Sequence, residues 1–219
     1  MNQDIQAVKV KAADHDIKVV KRDGTKESID LEKIHRVVHW ASQDLQNISV
    51  SQVEINAQLA FFDGIKTEDI HETIIKSAAD LISEDTPDYQ YLAAHLAIFH
   101  LRKRAFGCFE PPHLGEHVKQ MVALERYDSD LIRDYSAAEF EQLNQYIDHH
   151  RDMNFSYAAV KQMEGKYLVQ NRVSGQIHES PQILYMLVGA CLFSNYPKAT
   201  RLNYVQRFYD AVSLFKLSL

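Results

Sequence analysis

Breakers of regular structure are scarce in this chain. Seven glycines and five prolines in 219 residues fall well below average usage of roughly 7% and 5%. Long elements can therefore run uninterrupted, which favours helices over a many-turned β fold. Apolar residues at 46% and charged residues at 25% are typical of a soluble globular protein. The length suits one large domain or two small ones. A formal net charge of −6 gives no bulk drive toward nucleic acid. The two cysteines, Cys108 and Cys191, form no CxxC and suggest neither a disulfide framework nor a zinc site, so a reducing, cytoplasmic compartment is expected. No apolar run approaches the roughly 20 residues of a membrane span. The N-terminus lacks a signal-peptide core.

Residues 1–16 are polar and unpatterned and are expected to form a flexible arm. From Ile17 to Arg22 the chain is β-prone. Asp23-Gly24 follows, then Lys26-Glu27-Ser28-Ile29, which together predict a hairpin. Asp30 is a candidate N-cap for a first helix with Leu31, Ile34, Val37, Val38, Ala41 and Leu45 on one face. Trp40 lies off that face, where it either packs on another element or serves as a stacking platform. Ser51-Gln52-Val53-Glu54 reads as a capping box for a second helix, with Gly64 as its stop. Thr67 reads as the cap of a third helix, with Ile70, Ile74, Ala78, Leu81 and Ile82 as its stripe. Thr86-Pro87 opens a fourth helix that ends at Gly107 with Arg102, Lys103 and Arg104 in its last turn.

Residues 108–113, with Pro111-Pro112, read as a linker. Beyond it, helices are predicted near 113–125, 136–147 (capping box Ser136 to Glu139), 156–163, 181–193 and 198–213. Tyr167 to His178 reads as two short extended runs around Ser174-Gly175. Leu214 to Leu219 alternates as a strand would, and a chain ending inside an apolar element reads as a piece of a longer one.

Chemistry-bearing patterns are few. No GxSxG occurs. Cys191, in an apolar helix, is expected to be an inert core thiol, and nothing activates Cys108. The His35/His39 and His113/His117 pairs lack the further ligands zinc needs, and His149-His150 are expected to be solvated. There is no Walker A motif and no GxGxxG. What remains is Lys21-Arg22-Asp23-Gly24 at a tight turn, where backbone amides and two cations converge. Lys103 and Thr67 could join it only if the fold brings them together.

The order of these residues resembles a known module. Val19-Val20-Lys21-Arg22-Asp23-Gly24, with Glu27, Ile29, Lys33 and Ile34 after it, resembles the opening of an ATP-cone. Asp63-Gly64-Ile65-Lys66-Thr67, then Asp69-Ile70-His71, is similar to its middle, and Tyr89 to Ala94 with Arg102-Lys103 to its last helix. Phe155-Ser156-Tyr157, Gly165 to Leu168 and Arg207-Phe208-Tyr209 resemble the segment after the cone in the large (alpha) subunit of aerobic class Ia ribonucleotide reductase. The resemblance implies a mainly α fold with a small β part: a cone of hairpin plus four-helix bundle over 17–107, then a helical segment over 114–219 leading into a ten-stranded α/β barrel.

It further implies that ATP activates and dATP inhibits a thioredoxin- or glutaredoxin-dependent enzyme that makes deoxyribonucleoside diphosphates from ribonucleoside diphosphates. Lys21, Arg22 and Lys103 would face the phosphates, and Thr67 would add a hydroxyl. Glu27, Ser28, Ile29, Asp30 and Lys33 would border the nucleotide, with Val19 and Ile34 near the base and His71 near the sugar. Trp40 and Phe99 match positions beside a second nucleotide in some members. Mg²⁺ would arrive with the nucleotide. The cone segment holds 11 basic and 14 acidic side chains, a net of −3, so a triphosphate needs this local clustering of cations. The implied partners are the radical-generating small (beta) subunit and further large subunits, with neither nucleic acid nor membrane. The family's catalytic cysteines lie beyond Leu219, so residues 1–219 alone are expected to be inactive as a reductase. The alternative is a cone-bearing nucleotide sensor such as a transcriptional repressor, but these carry a cysteine zinc ribbon before the cone, and residues 1–16 contain no cysteine.

Overall fold

The computed structural model describes residues 17–217. The expected arm over 1–16 lies outside the described residues. A short strand β1 (Lys18–Val20) turns into β2 (Lys26–Ser28), with Val19 opposite Glu27 in antiparallel register. The turn is closed by the Gly24 N–H donating to the Lys21 carbonyl at 2.9 Å. Gly24 sits at φ +82°, a conformation that glycine adopts without a Cβ penalty. Asp30 accepts the Lys33 N–H at 2.8 Å and caps α1 (Leu31–Ala41) as the sequence predicts. Val38 and Ala41 are the fully buried members of the α1 stripe, while Leu31 is largely exposed.

The second helix differs from expectation at both ends. α2 (Val50–Gln58) is capped by Ser49, whose hydroxyl accepts from Gln52 N–H, and not by Ser51. The Tyr89 hydroxyl accepts the Ser49 N–H at 3.0 Å, a tertiary bond that fixes where the helix begins. Gly64 is not a helix stop. It sits at φ +86° in the turn before a third strand, β3 (Ile65–Lys66), that the sequence did not announce. β3 lies parallel to β1, giving the sheet order β2-β1-β3. α3 (Thr67–Ala79) begins at Thr67, but Thr67 is no cap, because its hydroxyl donates to the Val20 carbonyl at 3.2 Å. α4 (Tyr89–Phe106) starts just after Thr86-Pro87 and ends on Gly107 at φ +79°.

Further on are α5 (Leu114–Ala123), the short α6 (Asp130–Asp134), α7 (Ala137–Tyr146) with the expected Ser136/Glu139 box, and α8 (Tyr157–Gln162). A 3₁₀ helix (His149–Asn154) precedes α8, and a wide π turn (Met163–Tyr167) follows it. A single bridge, Gln170 to Ile177, is all that forms of the two extended runs. α9 (Pro181–Leu192) and α10 (Arg201–Ser213) close the described part. Residues 214–217 are not a strand. Lys216 and Leu217 N–H groups fold back onto the Ala211 carbonyl and terminate α10, while 218–219 lie outside the described residues.

α4 is the shared wall. One side packs on α1 and α3, the other on α8 and the 3₁₀ helix, and a single apolar core runs through both halves. At this joint lies a buried polar network. Arg102 donates to Asp152 at 2.8 Å, with side chains 4% and 0% exposed. Gln182 donates to the other Asp152 oxygen at 3.0 Å, and the Tyr209 hydroxyl donates to Gln182 at 2.8 Å. The network thus ties α4 to the 3₁₀ helix, α9 and α10. Arg102 also donates to the His149 carbonyl. His149 is accordingly drawn inward: its Nδ1 is buried and unpartnered, which corrects the solvated reading. Cys191 is corrected in the other direction and is exposed on α9. Replacing Arg102 by Met leaves the Asp152 charge buried without its cation, so urea denaturation is expected to show a loss of about 3–5 kcal/mol. A loss below about 1 kcal/mol, the range of exposed pairs, would show that the pair does not hold the joint.

Candidate functional site: a cavity with a cationic mouth

The sheet and three helices line a narrow cavity of about 90 Å³, smaller than a full small-molecule site, so a bound ligand would extend out through its mouth. β1 supplies Val19 and the hairpin's second arm leads to Glu27, Ile29 and Asp30. α1 supplies Lys33, Ile34 and Val37; α3 supplies Thr67, Ile70, His71 and Ile74; α4 supplies Phe99 and Lys103. The deep part is apolar. Toward the hairpin it opens into a polar mouth lined by the cations Lys21, Arg22, Lys33 and Lys103 together with Asp23, Glu27, Glu68 and Gly107. Thr67 and Lys103, which sequence spacing could not join, therefore do share one site.

Of the expected residues, Val19, Lys21, Arg22, Glu27, Ile29, Asp30, Lys33, Ile34, Thr67, His71 and Lys103 line the cavity or its mouth. Ser28 does not. Its exposed hydroxyl accepts from Lys18 Nζ at 2.9 Å, because strand alternation turns it away from the side taken by Glu27. Sequence reasoning placed Val37, Ile70 and Ile74 on core faces without seeing that these faces also wall a cavity. It also missed His100, which is 3% exposed behind His71 with ring centroids 5.3 Å apart and neither nitrogen partnered.

The mouth is electrostatically strained. Lys21 is paired with Glu27 at 2.6 Å, and this contact raises its proton affinity. Arg22 reaches across to donate to the Lys103 carbonyl at 3.0 Å, so the hairpin is latched to the end of α4. Lys103 lies over the Phe99 ring at 5.1 Å. Burial holds its ammonium below the usual lysine range, and Lys33 and Arg22 push it the same way. His71 is lowered to about 4, first by burial and then by Lys103, Arg22 and Lys33. Crowded cations that disfavour one another's charge form a site that an anion relieves.

Trp40 and Phe99 are also brought together. Their centroids are 5.8 Å apart, and Phe109 of the linker packs on both, at 5.0 Å from Trp40 and 5.5 Å from Phe99. The off-face Trp40 is thus explained by packing against α4 and the linker. It also borders a separate groove with Asp44, Tyr91, His95 and Met153. Each histidine pair has one member engaged by a carboxylate. His35 bonds Glu54 at 2.8 Å and His113 bonds Glu141 at 2.8 Å, and no group of three or more metal-ligating side chains occurs among the described residues. Among the described residues, no helix is long and apolar enough to cross a membrane.

A two-part architecture of this kind, a small sheet and four helices around a cation-mouthed cavity followed by an all-helical segment, defines an ATP-cone joined to an all-α domain. Residues 17–104 match the ATP cone domain, and residues 153–219 match the all-alpha domain of ribonucleotide reductase. The chain is 67% identical over 201 residues to the ribonucleoside-diphosphate reductase 1 subunit alpha of Escherichia coli K12 and 68% identical to that of Salmonella typhimurium, covering 92% of this chain and 26% of each relative. It is 40% identical to the alpha subunit of Enterobacteria phage T4 over 93% of this chain and 27% of that protein. The chain belongs to the family of ribonucleotide reductase alpha subunits and spans about a quarter of the length of these curated relatives.

The buried histidines make stability pH-dependent. His71, His117 and His149 are each lowered to about 4 and His100 to about 3, burial being the largest cause in every case. Between about pH 6.5, where an unfolded histidine titrates, and those values, the unfolded chain binds protons that the folded chain does not. Their contribution is therefore complete above about pH 6.5 and is lost as pH falls toward 4. Glu179, raised to about 7 by burial, and Asp152, also raised by burial, act in the opposite direction but are outnumbered by the four histidines. The thermal midpoint is expected to fall between pH 7 and pH 5; a flat profile would contradict the neutral, buried state of these rings.

Proposed function

We propose that this chain is the nucleotide-binding, activity-controlling region of a ribonucleoside-diphosphate reductase large subunit, with ATP as activator and dATP as inhibitor. The observation that carries this reading is the continuity of an apolar compartment with a mouth of four cations, Lys21, Arg22, Lys33 and Lys103, in a chain of net charge −6. An adenine and its sugar suit the compartment, and a triphosphate with its Mg²⁺ suits the mouth. Lys21 exchanges Glu27 for phosphate oxygens, and Arg22 and Lys103 add charge-assisted hydrogen bonds. Thr67 stands at the N-terminal end of α3, whose amides favour an anion, and its hydroxyl can leave the Val20 carbonyl for a phosphate. Glu27, Asp30 and Lys33 border the nucleotide where the two compartments meet. Val19, Ile29 and Ile34 pack near the base.

His71, at the boundary between apolar and cationic parts, is the residue placed to meet the sugar. ATP and dATP differ there by one hydroxyl, and they can bias two assemblies only through unequal affinity for two states. A second nucleotide at Trp40 and Phe99 requires Phe109 to move away from the face it packs on. The assemblies themselves involve the small, radical-generating subunit and other large subunits. The reduction belongs to the longer protein, which works in the cytoplasm, and residues 1–219 alone have no reductase activity.

Calorimetric titration with ATP and with dATP in Mg²⁺ tests the reading. Saturable binding is expected. Lys21→Ala and Lys103→Ala should each weaken it about tenfold, the scale of one charge-assisted hydrogen bond. His71→Ala should bring the ATP and dATP affinities together while leaving both measurable. A folded sample that binds neither nucleotide would sink the proposal.

A further inference from the structure

His95 lies half-buried on α4, where this helix passes between the cone and the helical segment after it. Its Nδ1 is 2.7 Å from the Ala41 carbonyl and its Nε2 is 3.0 Å from the Met153 carbonyl. Ala41 ends α1 of the cone, and Met153 is one residue from the end of the 3₁₀ helix. Helix ends leave such carbonyls without intrahelical partners. A neutral imidazole carries one N–H and one bare lone pair. With a single proton, one of these two contacts would set a lone pair against a carbonyl oxygen. Only a ring protonated on both nitrogens makes both hydrogen bonds. The C-terminal end of α1 also carries partial negative charge, which independently favours a cation at that point.

We propose that His95 is held with protons on both nitrogens and acts as a proton-dependent brace between α1 of the cone and the 3₁₀ helix of the following segment. This inference does not rest on nucleotide binding. The brace fixes Ala41 and with it the adjacent Trp40, so it also positions one wall of the groove that the two segments share. The groups around that groove are Asp44 after α1, which favours a charged ring, His150 on the 3₁₀ helix, which opposes it when protonated, and Tyr91 one turn earlier on α4. Two turns away on α4 are Asp88, which accepts the Gln46 N–H, and Arg102, which is neutralised by Asp152. α8 contributes Lys161, which is paired with Glu164 and acts on His100. The brace is complete while both nitrogens are protonated, and it loses one hydrogen bond as rising pH removes the second proton.

Ring-nitrogen NMR of the whole, histidine-labelled chain reads this directly. Both His95 nitrogens are expected to stay protonated above about pH 6.5, where an unfolded histidine is largely neutral. Loss of the second His95 proton at or below that pH overturns the proposal. A second measurement is the unfolding equilibrium of His95→Gln, whose amide nitrogen reaches one carbonyl but not the other. The variant should be about tenfold less favourably folded than the parent at low pH, with the gap closing as pH rises. A gap that does not change with pH marks an ordinary packing role and also overturns it.

Discussion

The structure depends on α4 being buried along nearly its whole length. A helix that is apolar on more than one side must be enclosed, and α4 meets this by giving one side to the cone and another to the helices after the linker. Ala93, Ala94 and Ala97 let neighbouring backbones come close, while Leu92, Leu96, Ile98 and Leu101 fill the two interfaces. The one full charge that has to be buried in this wall, Arg102, is matched by Asp152 and by the His149 carbonyl. The cone and the following segment therefore share a core, and a displacement of α4 at the cationic mouth is felt on both sides.

The end of α4 shows how the shared wall serves the site. Lys103 faces the cationic mouth, and its carbonyl holds Arg22 of the hairpin. Arg102, one residue earlier, faces the opposite side and stacks on Phe109 at 4.9 Å. Arg104, one residue later, donates to the Gly175 carbonyl at 2.8 Å and stands near Glu68 and Glu164. Three consecutive basic residues that suit a helix C-terminus electrostatically thus have three separate tertiary tasks. Helical geometry, which turns successive side chains by about 100°, distributes them.

Much of this was legible in the sequence wherever a local rule decided the outcome. Asp23-Gly24 marked the hairpin, Asp30 and Ser136 marked their helices, and Gly107 marked the end of α4. Legibility failed where a tertiary bond competed with a local one. Ser49 and Ser51 were both able to cap α2, and the Tyr89 hydroxyl selected Ser49. Thr67 had a capping hydroxyl that the Val20 carbonyl took instead. β3 has two residues and exists only because β1 is beside it. α9 is apolar all round, so periodicity could not show that Cys191 faces outward. The cavity itself was legible only through resemblance, because 82 positions separate Lys21 from Lys103 and no spacing rule joins them.

The same balance of local and tertiary forces bears on how one hydroxyl could be sensed. The mouth concentrates like charge, and two of its members, Lys103 and His71, are already disfavoured as cations by burial and by one another's neighbours. On the proposed reading, a triphosphate relieves that crowding equally for any nucleotide, so the phosphate end would supply affinity without discrimination. Discrimination would then come from the boundary, where His71 is ring-packed against Phe99 at 5.8 Å and His100 at 5.3 Å and a neutral imidazole can present either a donor or an acceptor. Behind it, the two unpartnered nitrogens of His100 make any shift of His71 energetically visible, since a buried polar group gains about 1–3 kcal/mol when it finds a partner. A difference of that size between two nucleotides is a ratio of about 5- to 150-fold, which is the scale on which allosteric couplings operate.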